Sequence, residues 1–171
     1  MRDLTLRPVL GPADVDPTPW RWQALERADL VKLSREELDY LAKPLGNDGE
    51  ALVLQRLLAG QARWVIVTDG AGKLRWYTRD GHGEVSSFRV DAVDTTAAGD
   101  AFVGGVLYGL AERAATGAGF AAFCRDTQAI ADTLRFAAAV GALAVTRKGA
   151  FAAMPTLEEV QQLLQQQDAI A

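Results

Sequence analysis

The stretch VDTTAAGDAFVGG, Val93 to Gly105, sets two threonines, two alanines and a glycine ahead of one carboxylate, Asp100, and then runs into apolar, glycine-spaced sequence. The small residues at 97, 98 and 99 precede what the pattern predicts to be a helix, and the first-turn N–H groups of a helix have no partner inside it. Side chains no larger than a methyl admit an anion to within hydrogen-bonding distance of those groups, and the helix dipole favours its negative charge. At the rim of such an anion hole, Asp100 is placed to accept the proton of an alcohol attacking a phosphorus atom held there. A second account fits the same letters. Asp100 complements the helix dipole, while Gly104, Gly105 and Gly109 let the helix pack closely on a neighbour. Read alone, the stretch leaves both open.

Downstream of Asp100 the chain reads as helical, with helices expected over roughly 99–115, 127–144 and 156–167, the last opening on the capping-box spacing of Thr156 and Glu159. Upstream, WRWQALERA has helical spacing, DLVKL reads as a short buried strand, and SREELDYLA returns to helix. EALVLQRLLAG suits a helix closed by Gly60, and RWVIVTDGAG a strand entering a glycine turn. This alternation predicts an α/β fold with a parallel central sheet. KLRWYTR and EVSSFRV, flanking the turn DGHG, predict an antiparallel pair at a sheet edge. RDLTLRP begins where a strand would end, with nothing earlier to pack on, and a sheet of few parallel strands leaves an open edge. That start points to a piece of a larger fold.

Composition narrows the chemistry. The 171 residues, 49% of them hydrophobic, can bury the core of one ordinary soluble domain. Lys and Arg number 18 against 22 acidic residues, for a net charge of −4, and no basic run could track a phosphate backbone, so no nucleic-acid partner is expected. The first residues hold no apolar stretch suited to a signal peptide, and nowhere do about 18 uncharged apolar residues follow one another. No membrane association and a cytoplasmic location are therefore expected. One cysteine, Cys124, and one histidine, His82, exclude disulfide frameworks and zinc sites built from Cys and His. His82 lies in the turn RDGHGE and is expected exposed rather than catalytic. Trp20, Trp22, Trp64 and Trp76 sit among apolar residues and are expected to pack.

Three further stretches admit chemistry. In ADLVKLSREEL, Ser34 and Glu37 have capping-box spacing, and Glu37 is also a candidate acid for Mg²⁺, acting through water because that ion gives up its hydration shell reluctantly. In VIVTDGAGK, the glycines after Thr68 suit either a hairpin or the close approach of a nucleotide to backbone. In ALAVTRKGAFAAMP a helix ends and Gly149 is expected in the left-handed turn; the carbonyls such a turn leaves unpaired can bind a monovalent cation, or the turn is simply a C-cap.

Taken in order, the four stretches resemble the ribokinase-like (PfkB) family of carbohydrate kinases. DTTAAGDAFVGG is similar throughout to that family's C-terminal signature. The resemblance implies that Asp100 is the catalytic base and that Ala97, Ala98 and Gly99 form the anion hole for the transferred phosphoryl group. SREE is similar to the family's Asn-x-x-Glu motif: Glu37 matches the magnesium-linked acid, and the shorter Ser34 stands where asparagine is usual, at a nucleotide or phosphate contact. VTDGAGK resembles the Thr-x-Gly nucleotide loop at Thr68 and Gly70, with the later glycine, Gly72, one residue early. AVTRKGA looks very like the corresponding ribokinase segment and implies a potassium site formed by Asp94, Thr96, Ala144, Arg147, Gly149 and Ala153, chiefly through carbonyl oxygens. Ala138 falls where many relatives place asparagine or histidine near the adenine. RDLTLRPVL is similar to the Asp-x-Asn-x-Arg-Pro segment of fructokinases and 2-keto-3-deoxygluconate kinases, with Thr5 in place of the asparagine.

The resemblance implies a ribokinase-like fold, the C-terminal part of a three-layer α/β/α sandwich with a mainly parallel sheet and an antiparallel edge. Residues 1–171 would then be the ATP-binding part, without the N-terminal sugar-binding part and lid. It further implies ATP-dependent phosphorylation of a sugar hydroxyl, with fructose expected first and ribose or 2-keto-3-deoxygluconate as the other substrates, and with ATP, Mg²⁺ and K⁺ bound. An open sheet edge predicts a homodimer or pairing with the missing half. A reading of another class is a truncated, non-catalytic nucleotide-binding or interaction module; only the enzyme consumes ATP when sugar is added.

Overall fold

The computed structural model describes residues 2–3 and 18–168. Its elements are β1 (Arg2–Asp3), α1 (Thr18–Leu25), β2 (Leu30–Ser34), α2 (Arg35–Ala42), a 3-10 turn (Lys43–Leu45), α3 (Gly49–Ala59), β3 (Trp64–Thr68), β4 (Leu74–Thr78), β5 (His82–Val85), α4 (Ala98–Glu112), α5 (Ala118–Phe123), α6 (Thr127–Val145) and α7 (Leu157–Asp168). The chain divides into two compact units, Met1–Glu84 and Val85–Ala171.

The first unit carries the sheet, in the order β1-β2-β3-β4-β5. β1, β2 and β3 run parallel, as the alternation predicts, and β4 runs antiparallel to β3. LVKL and WVIV are β-branched or bulky and fully buried, the near-continuous apolar pattern that a covered parallel strand requires. Val31, Leu33, Val65 and Val67 meet Leu25, Leu38, Val53 and Leu57 from α1, α2 and α3 in one core. The Arg79 guanidinium closes α3 by donating to the carbonyls of Leu58 at 3.0 Å and Gly60 at 2.6 Å.

Three local expectations change. β5 starts at His82 rather than inside EVSSFRV, because Thr78 N–H donates to the Gly81 carbonyl at 2.7 Å and closes the turn early. Trp20 is 69% exposed while Trp22 is buried, since two residues are about 200° apart around a helix. The short helix α5 was not anticipated. His82 is exposed, as expected, and stacks on Tyr77. Of RDLTLRP, Arg2–Asp3 pair with Val31 and Lys32 of β2, and the rest, with Thr5, lies outside the described residues.

The second unit is organised by α4 against α6. A Cβ at Gly105 would come within 2.7 Å of the Ala137 Cα, and one at Gly109 within 2.8 Å of the Thr133 methyl, so these two positions let the helix backbones approach. Gly104 is different: a Cβ there would meet nothing within 4 Å. By length and composition α6 could cross a membrane, yet its buried face, including Ile130, Leu134 and Ala137, belongs to this helix packing. The contrast between neighbouring glycines gives a direct test. Gly105→Ala should destabilise by about 1–3 kcal/mol through overpacking, whereas Gly104→Ala should be neutral or stabilise by up to about 1 kcal/mol. Urea melts of the two variants would reveal an error in the α4–α6 contact if the losses were equal.

Candidate functional site

In the first unit, the register of the parallel strands pairs Ser34 with Thr68, so two of the candidate residues sit side by side at the carboxyl ends of β2 and β3. That is the edge of an open α/β sheet where ligands bind. The Thr68 hydroxyl donates to the Leu33 carbonyl at 3.4 Å. Ser34 is the N-cap of α2: its Oγ accepts from Glu37 N–H at 3.2 Å, and Glu37 Oε2 accepts from Ser34 N–H at 2.6 Å. The capping box is therefore formed, and it holds Glu37, only 6% exposed, against the strand end. A hydroxyl that accepts one hydrogen bond keeps its own proton to donate. Beyond Thr68 the chain reverses tightly into β4, with Gly70 at φ 49° and Gly72 N–H on the Asp69 carbonyl at 2.6 Å. The hairpin expected of VTDGAGK is thus present. Sequence reasoning passed over Lys32, buried on the same face of β2 as Ser34, two residues before it. The signal was there in a single charged residue inside an apolar strand.

In the second unit, α4 begins at Ala98 behind the N-cap Ala97, and no side chain caps it. The Ala98 amide donates to the Thr95 carbonyl at 3.2 Å, and the first bond along the helix runs from Ala101 N–H to the Ala97 carbonyl at 2.9 Å. The amides of Gly99 and Asp100 fall between these, in the turn for which the helix supplies no acceptor. Ala97 is buried and the Asp100 side chain is exposed. Backbone donors and a solvent-facing carboxylate thus share one helix terminus.

Two of the candidate cation residues, Thr96 and Gly149, bond to a third, Asp94. Its Oδ1 accepts from the Thr96 hydroxyl at 2.6 Å and the Thr96 amide at 3.0 Å, and its Oδ2 accepts from the Gly149 amide at 3.1 Å. Gly149 has φ 96°, the left-handed conformation expected of it. The Val93 and Asp94 amides both donate to the Val145 carbonyl, at 2.7 and 3.1 Å, while Leu143 receives Thr146 through its hydroxyl at 2.7 Å and its amide at 3.1 Å. The carbonyls of Ala144 and Arg147 are not those consumed by these bonds. Backbone carbonyl and carboxylate oxygens are hard donors of the kind a hard cation accepts. Ala144 and Ala153 are buried, as is Ala138 on α6.

The defining pattern of the pfkB family carbohydrate kinases matches residues 14–157, and the chain belongs to that family. Its fold is ribokinase-like. It is 54% identical to a fructokinase from Xylella fastidiosa solved with bound ATP, with a TM-score of 0.92 over 97% of this chain and 51% of that one. A fructokinase double mutant from Vibrio cholerae, solved with fructose, ADP and potassium ion, is 32% identical with a TM-score of 0.68 over 83% of this chain and 42% of that one. Fructokinase-1 of Zea mays is 35% identical over 95% of this chain and 48% of its own length. The chain spans about half the length of these relatives.

Hydrogen bonds from the Thr96 side chain, the Thr96 amide and the Gly149 amide pull the Asp94 pKa from its ordinary 3.8 to about 2. A lowered folded-state value means that the ionised carboxylate stabilises the turn above about pH 4 and that this contribution disappears as pH falls through about 2. In potassium-free buffer, Asp94→Asn should melt below wild type at pH 6, with the gap closing between about pH 4 and pH 2. A gap that persists unchanged to pH 2 would contradict the bonding of Asp94.

Proposed function

We propose that the protein containing this chain transfers the γ-phosphoryl group of ATP to a hydroxyl of a sugar, fructose first among candidates. The observation that carries this reading is the uncapped start of α4, which presents the Gly99 and Asp100 amides together with the exposed Asp100 carboxylate. The likeness to fructokinases solved with ATP or with fructose and ADP supports it. In the proposed reaction the sugar oxygen forms a bond to the γ-phosphorus, the bond from that phosphorus to the ADP oxygen breaks, and Asp100 takes the hydroxyl proton. Ala97, Ala98 and Gly99 are the anion hole, small enough for oxygen atoms to reach backbone, and the α4 dipole favours the negative charge there. Ser34, Thr68, Gly70, Gly72 and Ala138 are proposed to contact the nucleotide.

Magnesium, when bound, neutralises charge on the phosphates. Among the described residues no three His, Cys, Asp or Glu side chains gather to form a metal cage. Such an ion would be held mainly by phosphate oxygens and water, with Glu37 contributing through water. Asp94, Thr96, Ala144, Arg147, Gly149 and Ala153 are proposed to hold potassium, whose charge would favour the anionic end of the nucleotide.

Replacing the base is the test. In the active kinase, Asp100→Asn should lower kcat for fructose phosphorylation by roughly a hundred- to ten-thousand-fold while ATP affinity changes little, because only the proton acceptor is lost. Near-normal turnover by the variant would remove Asp100 from that role, and ATP binding without consumption by wild type on adding fructose would favour a non-catalytic nucleotide binder.

A further inference from the structure

The Arg147 side chain has a partner that the cation turn itself does not supply. Its guanidinium pairs with the Glu159 carboxylate, through one contact to Oε1 and a second to Oε2 at 3.4 Å. Glu159 is not free to follow a moving loop. It lies in the first turn of α7 and closes that helix's capping box: its Oε2 accepts from the Thr156 amide at 2.8 Å and its own amide donates to the Thr156 hydroxyl at 3.3 Å. The next residue, Val160, is 1% exposed and anchors α7. The turn 146–149 is therefore gripped at two points, by Asp94 on the Gly149 amide and by Glu159 on the Arg147 guanidinium.

We propose that Glu159 is a positioning residue for the monovalent-cation site. It acts through the Arg147 side chain to hold the Arg147 backbone, and with it the carbonyls of the turn, in the orientation that binds K⁺. The physical reason is local. Once α6 has ended, carbonyls near residues 144–147 have no helical ladder to direct them, and a flexible turn would have to be ordered at the moment the ion binds. A bidentate guanidinium–carboxylate pair has a fixed fork geometry, so it orders the turn in advance and removes that entropic penalty from cation binding. This inference rests on the cation reading of Asp94 and its neighbours given above.

The test compares three proteins at constant ionic strength, replacing choline chloride by KCl and reading the midpoint of thermal unfolding alongside kinase activity. Glu159→Gln keeps an oxygen for the Thr156 amide but loses the ion pair; Thr156→Ala removes the other half of the cap and leaves the Arg147–Glu159 pair in place. Wild type should be stabilised by K⁺, and Glu159→Gln should need roughly tenfold more K⁺ for half of the stabilisation and for half-maximal activation, as loss of outer-shell partners commonly does. Thr156→Ala should keep the wild-type K⁺ midpoint. If wild type responds to K⁺ and Glu159→Gln responds at the same concentration, the positioning role is wrong. If Thr156→Ala shifts the midpoint as far as Glu159→Gln, Glu159 is only a helix cap. If K⁺ and choline act alike on wild type, the cation site itself is refuted.

Discussion

Asp94 bonds with both of its oxygens, one to Thr96 in the segment that leads into α4 and the other to Gly149 in the turn that leaves α6. One side chain thus fixes the beginning of one helix relative to the end of another. The rest of the second unit depends on that constraint, and on the close approach of α4 and α6 at Gly105 and Gly109 that makes it geometrically possible. A methyl at Gly105 would crowd the Ala137 backbone and strain that approach. Structure and proposed chemistry therefore share their weakest points.

Much of what this site uses is backbone. The α4 terminus offers amides and the α6 terminus offers carbonyls, opposite ends of two helix dipoles, while the side chains at 97, 98, 144 and 153 do little more than stay small. Such a site separates the roles of charge. In the proposed reaction negative charge is received by the start of α4 and positive charge by the end of α6, where Asp100 and Asp94 stand as base and ligand.

How much of this was legible in the sequence follows from the same fact. Small residues before a helix, a glycine where φ must be positive and the capping boxes of Ser34 with Glu37 and Thr156 with Glu159 depend on local chain geometry, and each lies where the pattern placed it. The parallel strands were legible because LVKL and WVIV are too apolar for anything but a covered sheet. What escaped was non-local. The Glu159–Arg147 pair joins residues whose meeting depends on how α7 folds back on α6, and Gly104 cannot be distinguished from Gly105 until the neighbouring helix is known. Trp20 looked like its neighbour Trp22 because both are tryptophans in an apolar run; only the helical phase separates them. Lys32 was hidden by the strand that buries it.

The central claim is that phosphoryl transfer takes place at the start of α4, and a crystal structure of the intact kinase with a non-hydrolysable ATP analogue, Mg²⁺ and fructose addresses it most directly. The account predicts oxygens of the terminal phosphate within hydrogen-bonding distance of the Gly99 and Asp100 amides, with a fructose hydroxyl on the Asp100 carboxylate. A terminal phosphate bound away from α4, with Asp100 turned to solvent and no sugar oxygen near it, would contradict it.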